Sequence, residues 1–70
     1  MREEIRDTYK GNVIIGYVDT DGSGNKTARL VNGFIVGFYD KNRNVTMDER
    51  HFILGNGDFV VSLVYNGSKK

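Results

Sequence analysis

Phe34-Ile35-Val36-Gly37-Phe38-Tyr39-Asp40 is the stretch on which the fold turns. Its β-branched and aromatic side chains suit a pleated, half-buried surface. Turn formers bound it, with Asn32-Gly33 before and Asp40, Asn42 and Asn44 after. The pattern stands twice more, as Val13-Ile14-Ile15-Gly16-Tyr17-Val18-Asp19 and Phe52-Ile53-Leu54-Gly55-Asn56-Gly57-Asp58. Each copy runs apolar, Ile, aliphatic, Gly, and closes on Asp three residues after the Gly, at offsets of 21 and 18 residues. One spacing used three times in 70 residues reads as an internal repeat.

Alternation along a strand sets Val13, Ile15 and Tyr17 against Ile14, Gly16 and Val18, and Phe34, Val36 and Phe38 against Ile35, Gly37 and Tyr39. Both faces are apolar, so both expect cover. Ile14, Ile35 and Ile53 are the expected core. A glycine inside a strand marks a bulge, a bend or the close approach of another group. Gly16, Gly37 and Gly55 therefore predict one local feature made three times, and Asp19, Asp40 and Asp58 predict turns that accept backbone N–H groups. Asn32-Gly33 and Asn56-Gly57 predict type I′ hairpins. Asp19 to Lys26 reads as a longer loop, and Asn44 to Met47 as a short strand. Phe59 to Tyr65 is rich in β-branched residues and favours a strand, with a helical turn as the alternative; residues 1–10 read as a frayed N-terminal segment.

The expectation is one all-β domain over residues 1–70: a small antiparallel meander of about six short strands built on a three-copy hairpin repeat, closed as a small barrel or open as a flower-like sheet. Ile15-Gly16-Tyr17-Val18-Asp19 and Val36-Gly37-Phe38-Tyr39-Asp40 resemble the hairpin repeats of the four-fold β-flower proteins, an uncharacterised bacterial family. The third copy departs from that pattern at Asn56-Gly57, and a fourth copy and the family's tryptophans are missing. The resemblance spans residues 13–58 and implies a fold, with no activity to carry over.

Composition narrows the functional classes. Ten basic and nine acidic residues leave a formal charge of +1, against the strongly basic face of a nucleic-acid binder. No cysteine excludes disulfides and thiolate metal sites, and His51 is the single histidine. No apolar run approaches a membrane span, and the charged opening MREEIRDTYK is unlike a secretory leader, so a cytoplasmic location is expected. A chain this short leaves much apolar surface exposed and commonly adds a staple, here a second copy.

Candidate chemistry is sparse. Asp19, Asp21 and Ser23, with Gly24 at position six, open like a calcium loop, but Leu30 stands where a closing Glu belongs. Asp19, Asp40 and Asp58 would form a carboxylate cluster if the repeats shared an axis. His51 with Ser62 is a formal hydrolase pair without a nucleophile elbow. Gly22-Ser23-Gly24 lacks the spacing of a phosphate loop. Tyr17 and Tyr39 with Arg29, Lys41, Arg43 and Arg50 suggest single-stranded nucleic acid. No catalytic residue, metal or cofactor is assigned. The reading is a non-catalytic module that self-associates through Val60, Leu63, Val64 and Tyr65 and presents loops to a protein partner, with nucleic-acid or calcium binding as alternatives.

Overall fold

A computed structural model describes residues 1–68. Six strands follow one another: β1 (Arg2–Asp7), β2 (Val13–Thr20), β3 (Lys26–Leu30), β4 (Ile35–Asp40), β5 (Val45–Asp48) and β6 (Ile53–Asn56). A 3₁₀ turn at Thr8–Lys10 links the first two, and a helix, α1 (Val60–Ser68), closes the described chain. Strand order in space equals order in sequence, and every neighbouring pair is antiparallel. The expected meander of six strands is observed, as one open sheet with the helix on one face and not as a barrel.

The strands are not quite the expected six. Residues 2–7 form a full edge strand, while Phe59 to Tyr65 enters a helix. The helix is set by tertiary packing against the local preference of three valines. Val60, Leu63, Val64 and Gly67 fall at i, i+3, i+4 and i+7, a single stripe that meets the sheet, while Val61, Ser62 and Asn66 face solvent. The turns also differ. Asn32 keeps a negative φ and only Gly33 is left-handed at φ 95°, so this hairpin is not type I′. The β5–β6 reversal runs through Glu49 to His51, with His51 at φ 68°, and Gly57 at φ 91° sends the chain into the helix.

Three hairpins share one irregularity. Ile5 pairs with Gly16 and Arg6 with Ile14, leaving Ile15 as an extra residue. Ala28 pairs with Gly37 and Arg29 with Ile35, leaving Val36 extra. Thr46 pairs with Gly55 and Met47 with Ile53, leaving Leu54 extra. Each bulge therefore precedes one of Gly16, Gly37 and Gly55. A bulge adds a residue and breaks the alternation of faces. This overturns the expected core. Ile15 joins Ile5, Val18, Ala28, Val60 and Val64 in the buried cluster and Val36 packs against it, while Ile53 is exposed.

The glycines face the helix side. A Cβ on Gly16 would meet the Arg29 carbonyl and Val64; one on Gly37 would meet Leu63 and the Met47 carbonyl; one on Gly55 would press on the Phe59 ring at 3.3 Å. Three missing Cβ atoms thus make the floor on which residues 59–64 lie.

Candidate functional site

The side chains that could carry chemistry are distributed, and nearly every acidic one is engaged locally. Asp19, on the outer face of β2, accepts from Arg2 Nε at 2.7 Å and lies 3.5 Å from Arg29 Nε. The Arg2 hydrogen bond holds its carboxyl below the usual carboxylate range. Asp40, at the end of β4, accepts from Arg43 Nε at 2.9 Å and from the Asn42 backbone N–H, and its pKa is likewise lowered, chiefly by Arg43. Asp58, before α1, accepts from Lys26 Nζ at 2.5 Å, a bond that raises the Lys26 pKa. The three repeated aspartates are therefore separate, each with its own cation. Among the described residues no group of three or more His, Asp or Glu gathers as a metal would require.

The calcium-like loop serves as a turn. Asp21 Oδ1 accepts from the backbone N–H groups of Ser23 and Asn25 at 2.9 and 3.0 Å. Asp48 does the same for Arg50 and Phe52, and Asp7 for Tyr9. His51 stacks on Phe38 with ring centroids 4.3 Å apart, on the face away from the helix. Ser62 lies on α1, across the sheet, so the formal hydrolase pair is not assembled. A shallow cleft of about 290 Å³ runs beside His51 and Phe38 to Asp40. The two tyrosines suggested for base stacking are also divided. Tyr17 faces outward with Arg2 4.9 Å over its ring, whereas Tyr39 packs against the core and donates to Asn44.

The residues expected at an interface fare differently from one another. Val60 and Val64 are 1% and 0% exposed and lie inside the chain, between helix and sheet. Leu63 seats over Gly37. Tyr65 is half-buried and donates to the Arg6 carbonyl at 2.7 Å. Val60 and Val64 cannot meet a partner without opening the core, while Leu63 and Tyr65 keep part of their surface beside the sheet.

The exposed apolar surface lies elsewhere, where the sequence pattern had it in view but unassigned. Even-numbered strands of a meander all begin at the same end, so the first residues of the three copies, Val13, Phe34 and Phe52, line one end of the sheet. All three are exposed, together with Val31 of the adjoining turn. Val13 and Val31 border an apolar hollow of about 320 Å³ with Ile14 and Leu30. From Phe52 the surface continues along β6 through Ile53 and Leu54, which are 63%, 56% and 48% exposed. The opposite end carries the polar loops, Asp21–Asn25 and Lys41–Asn44. No described helix is long and apolar enough to cross a membrane.

No family model, curated protein or solved structure matches this chain.

Proposed function

We propose that the chain is a non-catalytic β module that associates with copies of itself through this apolar margin and offers its polar loops to a protein partner. The observation that carries the reading is the exposure of Val13, Val31 and Phe34 at one end of the sheet and of Phe52, Ile53 and Leu54 at three successive positions leading into and along β6. Single exposed apolar side chains are ordinary, but several of them grouped at one end and one edge of a small domain favour an interface there. The engaged carboxylates favour binding over catalysis, since Asp19, Asp40 and Asp58 each hold a structural cation.

The three equivalent bulges support a reading of the chain as one hairpin unit used three times, in which the first apolar position of each unit is kept for an outside contact. Cytoplasmic residence belongs to the same proposal. Light scattering on the purified chain tests it. A native mass of two or more chains at micromolar concentration is expected, and a monomer up to the limit of solubility overturns self-association.

A further inference from the structure

An asparagine followed by glycine can cyclise, because glycine has no side chain to crowd its backbone nitrogen as it approaches the carboxamide. The chain holds three such pairs, Asn32-Gly33, Asn56-Gly57 and Asn66-Gly67. Asn12, Asn25, Asn42 and Asn44 instead precede Val13, Lys26, Arg43 and Val45, whose side chains stand in the way. The fold treats the three pairs differently.

Asn66-Gly67 lies in α1, where the i→i−4 ladder fixes the peptide. Gly67 is also wedged against the sheet, since a Cβ there would lie 3.0 Å from Val36 and 3.1 Å from Leu30. Asn56 pairs with Val45 at the end of β6. The Gly57 N–H donates to the Asn44 carbonyl at 2.7 Å, and the Gly57 carbonyl accepts from the Thr46 hydroxyl. Freeing that nitrogen requires the β5–β6 hairpin to open.

Asn32 and Gly33 are both exposed, in the turn between β3 and β4. One bond within that turn holds the Gly33 N–H, to the Leu30 carbonyl at 2.9 Å, and its release opens no strand pairing. The Asn32 carboxamide is folded across the Gly33 peptide, because its Oδ1 accepts from the Phe34 N–H at 3.1 Å. That donor sits on the oxygen that gathers negative charge when Cγ is attacked, and so stabilises the charge as it develops.

We infer that Asn32 is a site of self-modification, where the side-chain amide is exchanged for a carboxylate with water and hydroxide as the only co-reactants. Hydroxide takes the Gly33 N–H proton, the nitrogen bonds to Asn32 Cγ, and the Cγ–Nδ2 bond breaks. The departing nitrogen takes a proton from water and leaves as ammonia, which restores the hydroxide. The succinimide ring then adds water at one of its two carbonyls, and its C–N bond breaks. Opening one way gives aspartate and the other way isoaspartate. One water enters, one ammonia leaves, and nothing is oxidised or reduced. Either product sets a carboxylate between the exposed Val31 and Phe34, in the apolar end of the sheet. Isoaspartate also adds one carbon to the backbone of the turn.

Incubation of the native chain at mildly alkaline pH in heavy-oxygen water, followed by digestion and mass spectrometry, tests the assignment. The peptide holding Asn32 should gain the amide-to-acid mass and the oxygen label about tenfold faster than the peptide holding Asn56, and faster still than that holding Asn66. In guanidinium, where no turn or helix distinguishes the pairs, the three rates should converge. If Asn56 or Asn66 matches or leads Asn32 in the folded chain, the assignment is wrong. If Asn32 stays intact while the unfolded chain reacts, the turn protects it and the assignment is also wrong. A ranking that persists unchanged in guanidinium would overturn the role given to the fold.

Discussion

The first two hairpins and the third are built on one local plan and end in different surroundings. In β1–β2 and β3–β4 the bulge residues, Ile15 and Val36, pack beneath α1, and Gly16 and Gly37 receive Val64 and Leu63. In β5–β6 the bulge residue Leu54 looks into solvent, and Gly55 meets a single aromatic ring at the helix entrance. One pattern of Ile-aliphatic-Gly thus yields core twice and surface once. Coverage, not the pattern, decides burial, and a nine-residue helix covers four strands.

The sharpest way to break this comparison is to give the glycines a side chain. At Gly16 and Gly37 the added methyl collides with a backbone carbonyl as well as a helix side chain, so neither alanine variant can be relieved by one rotamer change. Each is expected to cost about 3 kcal/mol or to prevent folding, the upper range for an overpacked site. Gly55→Ala presses only on the Phe59 ring, which can tilt, and should cost less than about 1 kcal/mol. Chemical denaturation of the three variants reads the difference directly. Equal losses at all three positions would erase the distinction between covered and uncovered hairpins.

Thr46 joins the two regions. Its fully buried hydroxyl donates to the Gly57 carbonyl at 2.7 Å and accepts from the Phe59 N–H at 3.0 Å, clasping the chain as it leaves β6 for α1. Thr46→Val keeps the shape and abandons both backbone groups, at an expected cost of about 1–3 kcal/mol. Melting temperature checks it, and an unchanged value would mean the helix is held by its apolar stripe alone.

The smallest expected effect is on pH. The depressed carboxyls of Asp19 and Asp40 contribute stability that is present above their unfolded pKa, about 3.9, and is lost as pH falls through their lower folded values. The raised Lys26 works in the opposite sense: its contribution holds below about pH 10.4 and is lost as pH rises through the folded pKa. These groups are solvent-accessible, so the slopes are shallow and weaken with salt. Melting curves between pH 2 and 5 should fall less steeply for Asp19→Asn than for the native chain, and identical slopes would remove Arg2–Asp19 from the account.

Much of this architecture was legible in residues 13–58. Strand positions and the antiparallel meander follow from local composition and spacing, which act within a few residues. The bulges were signalled by the glycines, but the face each bulge turns inward was not, because the pairing partner sets it; hence Ile14 and Ile53 were expected where Ile15 is found. Residues 59–68 misled for a different reason. Three valines favour a strand locally, and the competing signal, apolar residues at 60, 63, 64 and 67, gains its meaning only beside a floor of glycines far away in sequence. Of the site, the exposure of Val13, Phe34 and Phe52 was hidden by their resemblance to core residues, and residues 2–7, read as part of a frayed segment, form an edge strand whose pairing with β2 their charged sequence does not announce.

The bond from Tyr65 to the Arg6 carbonyl links residues 59 apart and lets the last described element clamp the first strand. Ile5 of β1 is also buried with Val60 and Val64 of α1, which packs on β2, β3 and β4 as well, so the opening of these parts is coupled in one unit. β6 lies outside that unit. It can detach from β5 alone, which makes the last hairpin the place where this small protein breathes first, and where amide hydrogens should exchange with solvent long before those of β2 and β3 do.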